Sequence, residues 1–96
     1  MNCYFIANIR INDRVEYQKY LDKIDQVCEK YNVEYLAVDE APQILEGSWK
    51  YTKSVIMKFN SKEDFESWYF SIEYQEILKH RLRSADCDTI LVKGLE

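Results

Sequence analysis

The sequence predicts an α+β fold in the order β-α-β-β-α-β, and three observations predict it. Residues 3–11, CYFIANIRI, are β-branched and aromatic and divide into two faces with a period of two. Two capping signatures, Asp13 with Glu16 and Ser61 with Asp64, each introduce apolar residues at helical spacing. Further strand-like runs occupy 33–39, 51–59 and 88–93.

Taken in order, the first strand puts Cys3, Phe5, Ala7, Ile9 and Ile11 on a wholly apolar face, fit to receive helices. Tyr4, Ile6, Asn8 and Arg10 make the other, mixed face. After a turn at 12–14, the first helix carries Tyr17, Tyr20, Leu21, Ile24, Val27, Cys28 and Tyr31 on one stripe. Asn32 is expected to close that helix, because asparagine tolerates the left-handed conformation. Strand 33–39 ends at Glu40-Ala41-Pro42, since proline cannot donate to a ladder. Residues 44–49 either prolong that strand past a bulge or belong to the connecting loop. The third strand, 51–59, aligns Val55, Met57 and Phe59 on one face.

Residues 61–86 read as two short amphipathic helices in tandem. Phe65, Trp68, Tyr69 and Ile72 stripe the first at i, i+3, i+4, i+7. Tyr74, Ile77, Leu78 and Leu82 stripe the second, with Arg81 at its edge. Asp86 and Asp88 read as capping and turn residues ahead of the last strand.

That order is the split βαβ, or ferredoxin-like, arrangement: an antiparallel four-stranded sheet with its helices on one face. The helix-free face would show Tyr4, Ile6, Leu36, Val38, Ile56, Ile90 and Val92, a large apolar patch for a monomer. Pairing two such sheets removes it, so a homodimer is expected. With no linker, repeat or low-complexity segment, residues 1–96 are expected to form a single domain.

Composition narrows the function classes. Seventeen acids against 13 lysines and arginines give a net charge of −4, which disfavours nucleic acid as a partner. No run approaches the ~18–20 apolar residues that span a bilayer, and no signal peptide is apparent, so a cytoplasmic protein without a membrane partner is expected. Cys3, Cys28 and Cys87 are odd in number and lack a C-x-x-C spacing, which disfavours zinc sites, disulfide frameworks and thioredoxin-type chemistry. Neither a metal nor a cofactor is expected. Eight tyrosines are many for 96 residues and suit a semi-polar cavity or an interface, or simply half-buried element edges.

With its segments placed, the chain resembles the proteins grouped as domain of unknown function 1330, in the dimeric α+β barrel superfamily. The resemblance runs essentially end to end. It is carried by Asp13 with Tyr17 and Tyr20, by Glu46-Gly47 with Trp49, and by Phe59-x-Ser61. Tyr69-x-Ser71-x-Glu73-Tyr74, Arg81, Ala85-Asp86-x-Asp88 and Gly94 continue it. Tyr31-Asn32 departs from the glycines usual there, Asn60 and Ile72 from prolines, and His80 from an apolar residue. The resemblance implies a fold and a dimer, and it brings no established reaction. Superfamily relatives include cofactor-free monooxygenases, isomerases and haem-dependent enzymes, whose small molecules bind between sheet and helices; such analogy does not assign activity.

The residues best suited to chemistry are Glu46, Trp49, Tyr74 and Arg81. A carboxylate and a guanidinium beside aromatic walls could hold and polarise a small carboxylate or enol. In that reading Glu46, Tyr74 and Arg81 are catalytic. The competing reading is a structural ion pair between Glu46 and Arg81. Tyr17 and Tyr20 could present hydroxyls to a ligand or serve as core; Trp49 could form a wall of the site. His80, the sole histidine, could contact ligand or be solvated, and alone it cannot build a multi-histidine metal site. The function expected is small-molecule binding. Its sharper form is a metal-free, monooxygenase- or isomerase-like enzyme; the alternative is a non-catalytic ligand-binding or structural dimerisation module.

Overall fold

The computed structural model describes residues 1–95. Strands β1 (Cys3–Ile11), β2 (Val33–Asp39), β3 (Lys53–Phe59) and β4 (Ala85–Lys93) alternate with helices α1 (Arg14–Cys28), α2 (Lys62–Tyr69) and α3 (Ile72–Ser84). They form one four-stranded sheet in the order β2-β3-β1-β4, antiparallel throughout. This is the ferredoxin-like arrangement. β1 is central, with Phe5 facing Met57 on one side and Leu91 on the other.

The alternation in β1 and β3 fixes which face is dry. Cys3, Phe5, Ala7 and Ile9 are buried with Val55, Met57 and Phe59 beneath the helices, while Tyr4, Ile6, Ser54 and Ile56 lie on the far side. An aromatic cluster fills the core under α2 and α3. Trp68 is fully enclosed, with ring centroids 4.0 Å from Tyr74, 5.3 Å from Phe59 and 5.7 Å from Phe5.

Both capping signatures act as read: Asp13 accepts from the amides of Val15 and Glu16, and Ser61 from that of Asp64. A third cap sets the tandem junction. The Ser71 hydroxyl donates to the Trp68 carbonyl at 2.8 Å and accepts from the Tyr74 amide at 3.1 Å, closing α2 and opening α3.

Several expectations change. Helical phase restarts at Ser71, so Ile72 leaves the α2 stripe and is 81% exposed. From Tyr74 the spacing i, i+3, i+4, i+7 selects Ile77, Leu78 and Arg81; Leu82 turns outward, 62% exposed. Asn32 is not a left-handed cap: α1 ends at Cys28 with Glu29 in right-handed geometry, and no non-glycine residue described has positive φ. β3 starts at Lys53, and residues 44–49 lie in the loop before it. α3 passes directly into β4 at Ala85, which puts Asp86 and Asp88 inside the strand opposite Arg10 and Asn8. Capping is therefore not their role.

The free sheet face is also redrawn. A register shift between Tyr35 and Ala37 bulges β2, so that Tyr35 opposes Met57, Ala37 opposes Ile56 and Val38 opposes Val55. Val38 thus turns to the helix side, and Leu36 is the residue that the bulge absorbs. Tyr4, Ile6, Ile56, Ile90 and Val92 remain together on the helix-free side, with Ile90 59% exposed.

Candidate functional site

The helices leave a cavity of about 330 Å³ between α1 and the sheet. Ala7, Ile9, Val55 and Met57 floor it, and Tyr17, Tyr20, Leu21 and Ile24 of α1 roof it. Tyr35, Val38 and Asp25 reach it from the exposed side, where β2 is uncovered. Arg81 and Lys53 supply its charge.

Both cations are deeply buried, Arg81 3% and Lys53 4% exposed. Lys53 occupies the next helix-facing position of β3 before Val55, opposite Ile9. Its Nζ donates to the Tyr17 hydroxyl at 3.1 Å, lies 4.9 Å from that ring's centre, and meets the exposed Glu40 carboxylate at 3.5 Å. Arg81 Nη2 donates to the Tyr74 hydroxyl at 3.5 Å, which lies 3.0 Å from the Tyr20 hydroxyl. The guanidinium carbon sits 5.6 Å from the Tyr20 ring centre. Arg81 Nη1 is buried with no hydrogen-bond partner among the described residues.

Burial pushes the Tyr20 and Tyr74 phenols above their ordinary range, so both are neutral hydroxyls near pH 7. Burial, the largest influence on Arg81, works to lower its pKa, yet the guanidinium stays above its ordinary value and is charged. The site therefore carries a cation beside two neutral donors. In whichever direction the Tyr20–Tyr74 bond runs, one of the two hydroxyl protons is left over, and Tyr20 borders the cavity. Such a site can neutralise negative charge on oxygen and can give or hold one proton.

The structure brings together Tyr17, Tyr20, Tyr74 and Arg81 from among the residues selected in the sequence. Glu46 and Trp49 lie elsewhere, on an exposed groove of the β2–β3 loop with Ile44, Leu45 and Ser54. Ser54 bonds to Asn8 on the helix-free side, so this groove adjoins the sheet face opposite the cavity. Within the chain the four-residue grouping is not assembled, and no ion pair joins Glu46 to Arg81 among the described residues. Lys53 was missed, although its signal was present: a lysine in phase with Val55, Met57 and Phe59. Among the described residues no group of three or more histidine, cysteine or acidic side chains could hold a metal ion, and no helix is long and apolar enough to cross a membrane.

His80 is not at the cavity and is not simply solvated. Its Nδ1 donates to Glu16 Oε2 at 2.6 Å, tying α3 to α1. Lys19 at 3.1 Å and Arg83 at 3.8 Å complete a basic ring around that carboxylate. The His80 hydrogen bond, first, and Lys19, second, hold the Glu16 pKa below its ordinary value. A depressed carboxylate stabilises the fold above its unfolded-state pKa and loses that contribution as pH falls through the folded one. Glu16→Gln is thus expected to lower the urea midpoint at pH 7. The difference from the wild type should vanish in acid below the depressed pKa, read from urea titrations across pH 2–7. A gap constant with pH would refute the linkage.

A split-βαβ sheet with a half-open cavity between its first helix and its central strands defines a class: small ferredoxin-like α+β proteins. Within it, the chain belongs to the family described as domain of unknown function (DUF1330), which matches residues 2–95. No curated protein matches the sequence significantly. Among solved structures, a protein of unknown function from Rhodopseudomonas palustris, RPA0582, superposes with a TM-score of 0.82 at 18% identity, covering 99% of this chain and 83% of that one. A dimeric ferredoxin-like protein of unknown function from Jannaschia sp. CCS1 gives 0.80 at 9% identity, covering 98% and 100%. SnoaB, a cofactor-independent oxygenase from Streptomyces nogalater, gives 0.69 at 6% identity, covering 99% and 94%. At these identities the likeness is one of fold.

Proposed function

We propose that this protein binds a small organic molecule in the cavity beneath α1, as a homodimer joined through its helix-free sheet faces. One observation carries the ligand reading. A space of about 330 Å³ beside the core is bordered by the buried polar side chains of Arg81, Lys53, Tyr17 and Tyr20. Empty cavities are lined by apolar side chains, whereas a space with polar groups at its edge takes water or a ligand. Tyr17, Tyr20 and Arg81 contact the molecule, and Tyr74 positions Arg81 and Tyr20 from behind. Glu46, Trp49 and His80 take no part within the same chain.

The catalytic form of this reading gives Arg81 the stabilisation of an enolate-like oxygen and the Tyr20–Tyr74 pair the movement of one proton. The fold shared with a cofactor-independent oxygenase makes it compatible with such chemistry. For the dimer, the support is the apolar patch of Tyr4, Ile6, Ile56, Ile90 and Val92, which a second copy would cover, and the dimeric state named for the Jannaschia protein.

Native mass spectrometry on gently purified protein, followed by a ligand-observed NMR screen of small aromatic fragments, tests both parts. A dimer mass and fragments that compete with one another for one site are expected. A monomer at micromolar concentration would overturn the sheet-to-sheet assembly. The absence of any binding fragment would overturn the cavity reading.

A further inference from the structure

We infer that the molecule bound in this cavity is a small monoanion: a carboxylate, or an enolate of similar shape, on a compact apolar body. The inference rests on the cavity reading above and names its ligand class. Arg81 and Lys53 approach from the same end of the sheet. Lys53 sits opposite Ile9, and Arg81 lies one turn before β4, which begins opposite Ile11. Two buried cations therefore border a space whose remaining walls are aliphatic and aromatic.

Of the two, Lys53 has an acidic partner and Arg81 has none among the described residues. Glu40 reaches Lys53 Nζ from an exposed position at 3.5 Å, and Asp25 borders the cavity from the exposed surface of α1. No described carboxylate pairs with Arg81. The Tyr74 hydroxyl that it meets, and the Tyr20 hydroxyl bonded to that one, are neutral. The guanidinium is buried with no described carboxylate to pair with, so no ion pair offsets its desolvation. Its unpartnered Nη1 and weakly engaged Nη2 give Arg81, which borders the cavity, a planar fork able to donate to two carboxylate oxygens. An anion on that fork supplies the missing charge, and when Tyr20 accepts from Tyr74 its own hydroxyl proton is free to donate to that anion. The apolar floor of Ala7, Val55 and Met57 takes the rest of the molecule.

Three probes of one shape and different charge test this: benzoate, benzamide and benzylamine, titrated calorimetrically against the intact protein at pH 7 and fixed salt. Benzoate is expected to bind at least 10-fold more tightly than benzamide, with benzylamine weakest. In Arg81→Gln the preference of benzoate over benzamide should fall to near unity while benzamide affinity holds. The wild-type comparison alone decides the matter if that variant fails to fold. Benzamide binding as tightly as benzoate would overturn the anion inference and leave the cavity reading standing. Binding by none of the three, in a protein that also binds no other fragment, would take both down.

Discussion

Trp68→Ala is expected to lower the unfolding free energy by ~3–5 kcal/mol, the largest loss for any single core truncation here. Its indole is fully enclosed and is the point where α2, α3 and the sheet converge, against Tyr74, Phe59 and Phe5. Nearby rings cannot close the void, because Ser71 fixes the Trp68 backbone to the start of α3 and Tyr74 is held through its hydroxyl. With a domain of this size losing about 4–8 °C per kcal/mol, the melting temperature should drop by tens of degrees. Thermal unfolding followed by far-ultraviolet circular dichroism would show it. A shift of only a few degrees would mean that the cluster is not the mechanical centre of the fold.

The second large effect runs in the opposite direction. Arg81→Met is expected to stabilise the unliganded protein by ~1–4 kcal/mol, since an apolar side chain of similar length removes a buried, unneutralised charge. Methionine adapts to irregular space and can follow the path of the arginine stem beside Tyr20. What is lost is one hydrogen bond of 3.5 Å to Tyr74, whose hydroxyl keeps Tyr20, and the cation–ring contact of 5.6 Å with Tyr20. A rise in urea midpoint with unchanged slope is the expected result. A fall would show that the guanidinium is held for structure, as a buried donor rather than a binding group. Stability and ligand recognition are thus predicted to oppose each other at one residue.

Much of this was legible in the sequence, for specific reasons. The period of two in β1 and the two capping signatures are local, so they placed the strands and helices that wall the cavity. Tyr17 and Tyr20 followed from the α1 stripe. Arg81 was visible as chemistry but was placed at the edge of its stripe, because Leu82 looked like the better core residue. The spacing i, i+3, i+4, i+7 counted from Tyr74 puts Arg81, and not Leu82, in phase with Ile77 and Leu78. Lys53 was hidden because a charged residue ends an apolar alternation to the eye, although the strand continues through it. The turn of Val38 into the cavity depends on the bulge at Leu36, which arises from pairing with β3 and has no signature of its own in the β2 residues. Grouping Glu46 with Arg81 failed within the chain because loop paths are set by neither period nor cap.

The order of the sheet has a consequence for how the chain acquires its shape during synthesis. β1 sits inside the sheet and is made before both of its neighbours, β3 and β4. Until then a nine-residue strand with a wholly apolar face has neither edge covered, and α1 is the first element at hand to shield it. Long-range pairings of this kind are slow to close, and an unpaired apolar strand is where nascent chains associate wrongly. The strand that later floors the cavity is therefore also the segment most in need of shelter on the ribosome. Its early docking against Tyr20 and Ile24 of α1 would form the roof and floor of the cavity before the rest of the sheet exists.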